Sequence, residues 1–112
     1  MAFMAVTYPR RGEVYFASLD KDRPVMILST DALNKHALDV CVVQITTVMH
    51  AKFTMRDPLT KGDGALNHNC WAKCDQATTL EKTLLHNKPL GKLSTTKLQD
   101  IEKQVKPALA LV

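Results

Sequence analysis

Residues 38–48, LDVCVVQITTV, constrain this chain more than any other stretch. β-branched side chains lose rotamer freedom in a helix and pack well on a pleated surface. The segment therefore reads as a strand, and as the strongest strand in the chain. A strand this apolar needs paired neighbours and cover, so the flanking segments must supply a sheet.

They do. EVYFASL (13–19) alternates and follows a turn signal at Arg11-Gly12. PVMILS (24–29) is a short apolar run of the length of a buried strand, with Pro24 at its tolerated first position. TDALNKH (30–36) reads as one or two helical turns capped by Thr30 or Asp31. AKFTMRDPL (51–59) alternates loosely, and TKGDGALNHN (60–69) has the turn chemistry of a loop. CWAKCDQ (70–76) alternates again, and PLGKLS (89–94) holds one more short strand.

The C-terminal segment changes period. Ser94 is a good N-cap, with Leu93 and Leu98 at the spacing of a hydrophobic staple. Leu98, Ile101, Val105 and Leu109 recur near helical spacing, and Pro107 should kink or end the helix. The expected fold is mainly β (α+β). It is a small, partly open antiparallel β-barrel with a short early helix and a C-terminal helix laid against it. With 112 residues, one domain spanning 1–112 is expected.

Bulk properties exclude several classes. No apolar run approaches the ~20 residues that span a bilayer. The opening MAFMAVTYPRRG lacks a basic region ahead of an apolar stretch, so no signal peptide is expected and the cytoplasm is the expected compartment. Fifteen basic residues against eleven acidic give a net charge of +4, which permits a polyanionic partner without requiring one. Three cysteines, Cys41, Cys70 and Cys74, make an odd count that argues against a disulfide framework. HNCWAKC has poor spacing and too few ligands for zinc, so no metal is expected and the cysteines read as small apolar residues.

Common catalytic motifs such as G-x-x-x-x-G-K-[ST], G-x-S-x-G and H-E-x-x-H are absent. Four histidines, at 36, 50, 68 and 86, fall in expected turns and loops. Polar residues at strand ends carry more information. Arg23 opens the second strand, Thr46 and Thr47 close the third, and Lys73, Asp75 and Gln76 end a fifth. If those strands are neighbours, their ends converge on one rim that fits a phosphodiester. Arginine offers phosphate a rigid fork of donors and stays charged, and a threonine hydroxyl adds a neutral donor. The plain alternative is that Arg23 pairs with Asp20 or Asp22 and the threonines are only β-formers.

Taken in order, RRGEVYFASLD, RPVMILSTDALNK, VVQITT, KCDQATTL and LGKLS resemble the MazF/PemK family of toxin endoribonucleases, and they cover nearly the whole chain. The resemblance implies an SH3-like barrel and a homodimer with an RNA groove across its interface. It implies metal-free, cofactor-free cleavage of single-stranded RNA at a short sequence. It also implies an antitoxin whose C-terminal segment blocks the groove. By position, it carries the scissile-phosphate roles to Arg23 and Thr46. The Arg-Cys-Asp of some relatives appears as Lys73-Cys74-Asp75, where Asp75 could orient Arg23 or act as a base and Lys73 could touch phosphate. One departure is the loop between the first two strands, only DKD (20–22) here and longer in many relatives. The chain looks like a short-loop branch of the family, and the more open groove this implies suits a structured RNA such as rRNA or tRNA beside the mRNA that the resemblance implies. Two other readings remain: a same-fold toxin that poisons a protein such as DNA gyrase, and a non-catalytic RNA-binding barrel. Arg23, Thr46 and the C-D-Q turn weigh against the first. The six aromatic residues weigh against the second, since such binders stack bases on aromatic side chains.

Overall fold

Two short apolar runs become central strands because each is buried on both faces. In a computed structural model, which describes residues 8–48 and 55–110, Val25, Met26 and Ile27 are all fully buried, as are Val42 and Val43. A one-sided strand would alternate; a strand covered on both sides cannot. The two runs form β2 (Asp22–Ile27) and β3 (Asp39–Thr46), paired antiparallel through Val25↔Gln44, Met26↔Val43 and Ile27↔Val42. Around them lie β1 (Glu13–Ser18), β4 (Arg56–Leu59), β5 (Cys70–Glu81) and β6 (Gly91–Lys92). The six strands form one sheet in the order β4-β5-β3-β2-β1-β6, with every pairing antiparallel. It curls into a half-barrel whose two end strands, β4 and β6, are not bonded to each other. This is the partly open barrel expected, although residues 51–54 of the expected fourth strand lie outside the described residues.

Each face of the sheet has its own core. One face packs Val14, Met26, Val43, Ile45 and Leu59 against α2 (Thr95–Ala108), which contributes Ile101 and Val105. The other gathers Tyr15, Ala17, Val25, Ile27, Val40 and Val42 under Leu80 and Leu85. Leu85 reaches that cover because a single 3-10 turn, Lys82–Leu84, folds the chain back to bridge Ala17.

α2 forms as its sequence implies. The Ser94 hydroxyl accepts from the Lys97 N–H at 3.2 Å, and Leu93 and Leu98 pack into the same core as the staple requires. Pro107 lies in the last turn and the helix stops one residue later, at Ala108. Leu109 departs from the expected apolar stripe: it caps the helix and is 43% exposed. The early helix, α1 (Asp31–His36), is capped by Thr30, and the buried Asn34 binds Ser29 through its side chain.

Two glycines make one close approach possible. A Cβ on Gly91 would lie 2.7 Å from the Gly64 carbonyl carbon, so β6 and the turn Asp63–Ala65 touch backbone to backbone. Gly64 itself has φ +55, a conformation glycine adopts at little cost.

Asp57 is the one carboxylate among the described residues that is buried in the core. It accepts from Gln104 Nε2 at 2.9 Å and lies 3.5 Å from Lys97 Nζ, both on α2. Burial pushes its carboxyl above the ordinary value, against the lowering effect of Lys97.

Two outcomes follow from this packing. Ile101 is fully buried between helix and sheet, so Ile101→Ala should lower the unfolding free energy by about 2–5 kcal/mol in urea titrations. A loss under ~1 kcal/mol would mean that α2 is not part of the core. The raised value means that Asp57 holds its proton more tightly folded than unfolded. Its contribution to stability therefore grows as pH falls through the folded value and levels off near the unfolded value of ~3.9. Measured between neutral pH and pH ~4, the wild type should gain stability relative to Asp57→Asn. A difference that is flat with pH would contradict the raised value.

Candidate active site

The apolar runs of β2 and β3 stop at the same end of the sheet, and polar residues take over there. β1 and β2 join through three residues, 19–21, with Ser18 paired to Asp22. This tight connection takes in Asp20 and Lys21 of the DKD stretch, and Asp22 already opens β2. Arg23 follows one residue into β2, across from Ala17 of β1. On the other side, the β2–β3 register that sets Val25 opposite Gln44 places Thr46 opposite Arg23 when continued by two residues. Directly opposite residues share a face. Arg23 and Thr46 line a groove of about 210 Å³ with Asp22, Pro24, Thr47 and Val48.

Arg23 is held rather than free. Its Nε and Nη2 donate to the two carboxylate oxygens of Asp20, each at 2.8 Å. The sequence left Asp20 and Asp22 open as partners, and Asp20 is the one that binds. The hydrogen bonds from Arg23 hold the Asp20 carboxyl well below the usual carboxylate range, so the pair is charged at any physiological pH. The clamp uses one edge of the guanidinium and leaves Nη1 for another acceptor. Thr46 is arranged in the same way: its Oγ1 accepts from the Val48 N–H at 3.1 Å, which leaves the hydroxyl proton free to donate. Thr47 is exposed beside it.

Lys73, Asp75 and Gln76 depart from expectation. They do not end a strand, since β5 continues five residues beyond Gln76, to Glu81. They sit in a bulge. Between the pairs Ile45↔Ala72 and Val43↔Ala77, a single residue of β3, Gln44, faces four of β5, 73–76. A bulge of this kind bends the strand and re-aims its side chains. The long apolar-polar run was legible as a strand, but the bulge was not, because it depends on register with β3. None of the three residues lines the Arg23–Thr46 groove. Asp75 makes no hydrogen bond to Arg23; the orienting carboxylate is Asp20. Asp75 instead keeps a buried Oδ1 with no partner. Cys74, between them, points into the core, where burial first and the Asp57 charge second push its thiol up to about 12. It is not a nucleophile.

Of the remaining chemistry-bearing groups, Cys70 borders the groove. Cys70 and Cys74 are both buried, and among the described residues no three His, Cys, Asp or Glu side chains cluster as metal ligands would. His36 and His68 are exposed, and His50 is outside the described residues. His86 is the exception, with Nε2 at 3.3 Å from Asp22 Oδ1 and its ring 5.9 Å from that of Phe16. It also lines a cavity of about 490 Å³ with Tyr8, Tyr15 and Lys82, none of which touches the groove. No helix among the described residues is long and apolar enough to cross a membrane.

Comparison with known proteins places this geometry. The family described as PemK-like, MazF-like toxin of type II toxin-antitoxin system matches residues 10–109. The chain is 31% identical to an endoribonuclease MazF of Staphylococcus saprophyticus over 111 residues, 91% of this chain and 92% of that protein. It superposes with a TM-score of 0.79 on an endoribonuclease solved in complex with its cognate antitoxin from a mycobacterial species, at 27% identity, covering 93% of this chain and 97% of that one. The Mycobacterium tuberculosis toxin MazF-mt6 gives a TM-score of 0.77 at 26% identity, covering 88% and 96% of the two chains. With a matching family model over nearly its full length and Arg23 and Thr46 on one groove, this chain belongs to the PemK-like, MazF-like toxins of type II toxin–antitoxin systems.

Proposed function

We propose that this chain is the toxin of a type II toxin–antitoxin pair and that it cuts single-stranded RNA, with Arg23 and Thr46 at the scissile phosphate. The observation that carries the reading is the shared groove. A guanidinium held on one edge by Asp20 and a threonine hydroxyl free to donate line the same 210 Å³ space. Preorganised donors of this kind stabilise charge that develops during reaction, at little reorganisation cost.

The chemistry needs no group beyond the RNA itself as nucleophile. The ribose 2′-oxygen attacks the adjacent phosphorus and gives up its proton. The bond to the 5′-oxygen breaks, and that oxygen takes a proton. The products are a 2′,3′-cyclic phosphate and a 5′-hydroxyl. Negative charge builds on the non-bridging oxygens in between. Arg23 meets it with a charge that cannot be titrated away, and Thr46 holds one oxygen by hydrogen bond. Asp20 is a positioning residue that acts through Arg23. Thr47 is placed to touch the substrate beside Thr46, and Lys73 supplies positive charge on the neighbouring strand. Asp75 and Gln76 contribute from the bulge, where they shape the substrate surface rather than orient Arg23. The partners proposed are a second copy of this chain and an acidic antitoxin segment that covers the groove. The working compartment proposed is the cytoplasm.

In EDTA, the wild type should cut RNA and leave cyclic phosphate ends. Arg23→Ala should lower kcat/KM by about 10²–10³-fold, and Thr46→Val by about tenfold or more. Cleavage by Arg23→Ala at the wild-type rate would overturn the assignment, and no cleavage by the wild type would overturn the function. Asp20→Asn keeps the shape of the clamp without its charge. It should cost less than Arg23→Ala, and Asp20→Glu should recover part of the loss.

A further inference from the structure

The polar face that begins at Arg23 does not end at Thr46. Thr46 stands opposite Trp71 on β5, and Trp71 stands opposite Pro58 on β4. Two residues along, Lys73 stands opposite Arg56. Opposed residues share a face and alternate ones repeat it. Arg23, Thr46, Trp71, Lys73 and Arg56 therefore lie on one face of four consecutive strands. Asp57, next to Arg56, takes the opposite face and is spent on α2.

Arg56 has no role in the fold that accounts for its charge. Among the described residues its Nη1 makes one long bond, 3.4 Å, to the carbonyl of Val48, which itself lines the Arg23–Thr46 groove. Its Nε is buried without a partner. Among the described residues no carboxylate lies within ion-pair distance of it, and residues 49–54 contain no Asp or Glu. Among the described residues this half-buried guanidinium, with five donors, meets one weak acceptor, which leaves a demand for an anion. Its aim toward Val48 brings that demand to the groove.

We propose that Arg56 is a second phosphate-holding residue for RNA, gripping the substrate backbone away from the cut. The proposal rests on the ribonuclease reading above. Three inter-strand steps separate β4 from β2, about 14 Å at ~4.8 Å each. That exceeds one phosphodiester repeat, so Arg56 and Arg23 hold different phosphates of one strand. Lys73 adds charge between them, and the half-buried ring of Trp71 offers a face on which a base can stack. A phosphate contact far from the cut positions the strand without reading its sequence. It therefore acts on binding more than on the chemical step.

The test uses RNA containing a cleavage site mapped with the wild type. One oligonucleotide is short and centred on the cut, and one extends several nucleotides to each side. For the long substrate, Arg56→Ala should raise KM by about tenfold with kcat within about twofold, and it should erase the advantage of long over short. Binding to the long oligonucleotide with a 2′-deoxy nucleotide at the cut should lose about 0.7 from the slope of log K against log salt. Arg56→Lys should restore most of that slope, and Arg56→Gln, which keeps donors without charge, should not. The Lys and Gln variants carry the comparison if Arg56→Ala does not fold. Wild-type KM and salt slope in Arg56→Ala or Arg56→Gln would overturn the proposal while leaving the ribonuclease reading intact. So would a changed cleavage sequence with unchanged KM. A wild type that cuts no RNA would defeat the underlying reading instead.

Discussion

The pairing of two strands buried on both faces governs the rest of this structure. Val25, Met26 and Ile27 on β2 and Val42 and Val43 on β3 admit no solvent-facing side. Such strands demand a separate cover on each face. α2 provides one through Ile101 and Val105, and the fold-back at Lys82–Leu84 provides the other through Leu85. The early helix and the loop 60–69 are connections compatible with that demand. The close backbone contact between Gly64 and Gly91 lets the loop seat against β6 without a side chain between them.

The same constraint puts the candidate site where it is. A doubly buried strand cannot carry a guanidinium or an ionised group in its middle without a large desolvation cost. Polar chemistry is pushed to the strand ends, and the antiparallel register brings the ends of β2 and β3 to one edge. Arg23 keeps its charge there because it stays partly solvated and is matched by Asp20. The short β1–β2 connection serves this arrangement, because a three-residue loop leaves Asp20 only three positions from the arginine it clamps. A residue in a long, mobile loop would pay more conformational entropy for the same two bonds.

β5 shows how a strand can serve two purposes. Its first half carries Trp71 and Lys73 on the polar face and Ala72 and Cys74 in the core. Its second half pairs with β3 in a register displaced by the bulge at 73–76. Without the displacement, one half or the other would turn the wrong face to the core, since side chains alternate with a strict period of two. The bulge keeps both halves buried correctly while moving Asp75 and Gln76 away from the Arg23 groove. β4, as an edge strand, tolerates Pro58 and leaves Arg56 on the open side of the sheet.

The sequence by itself determined the elements and two of the candidate site residues. Hydrophobic runs, β-branching, the Ser94 cap and the staple are local signals, and the strands and both helices followed from them. Arg23 and Thr46 were legible because they sit where apolar runs end, and because five short motifs occur in order. Tertiary structure alone decided which carboxylate holds Arg23, where β5 bulges, and that Arg56 joins the same face from the far end of the sheet. The first is settled by the fold of the short turn 19–21, and the other two depend on register between strands distant in sequence. Register is set by how two cores fill at once, a property of the whole sheet that no local stretch of residues encodes.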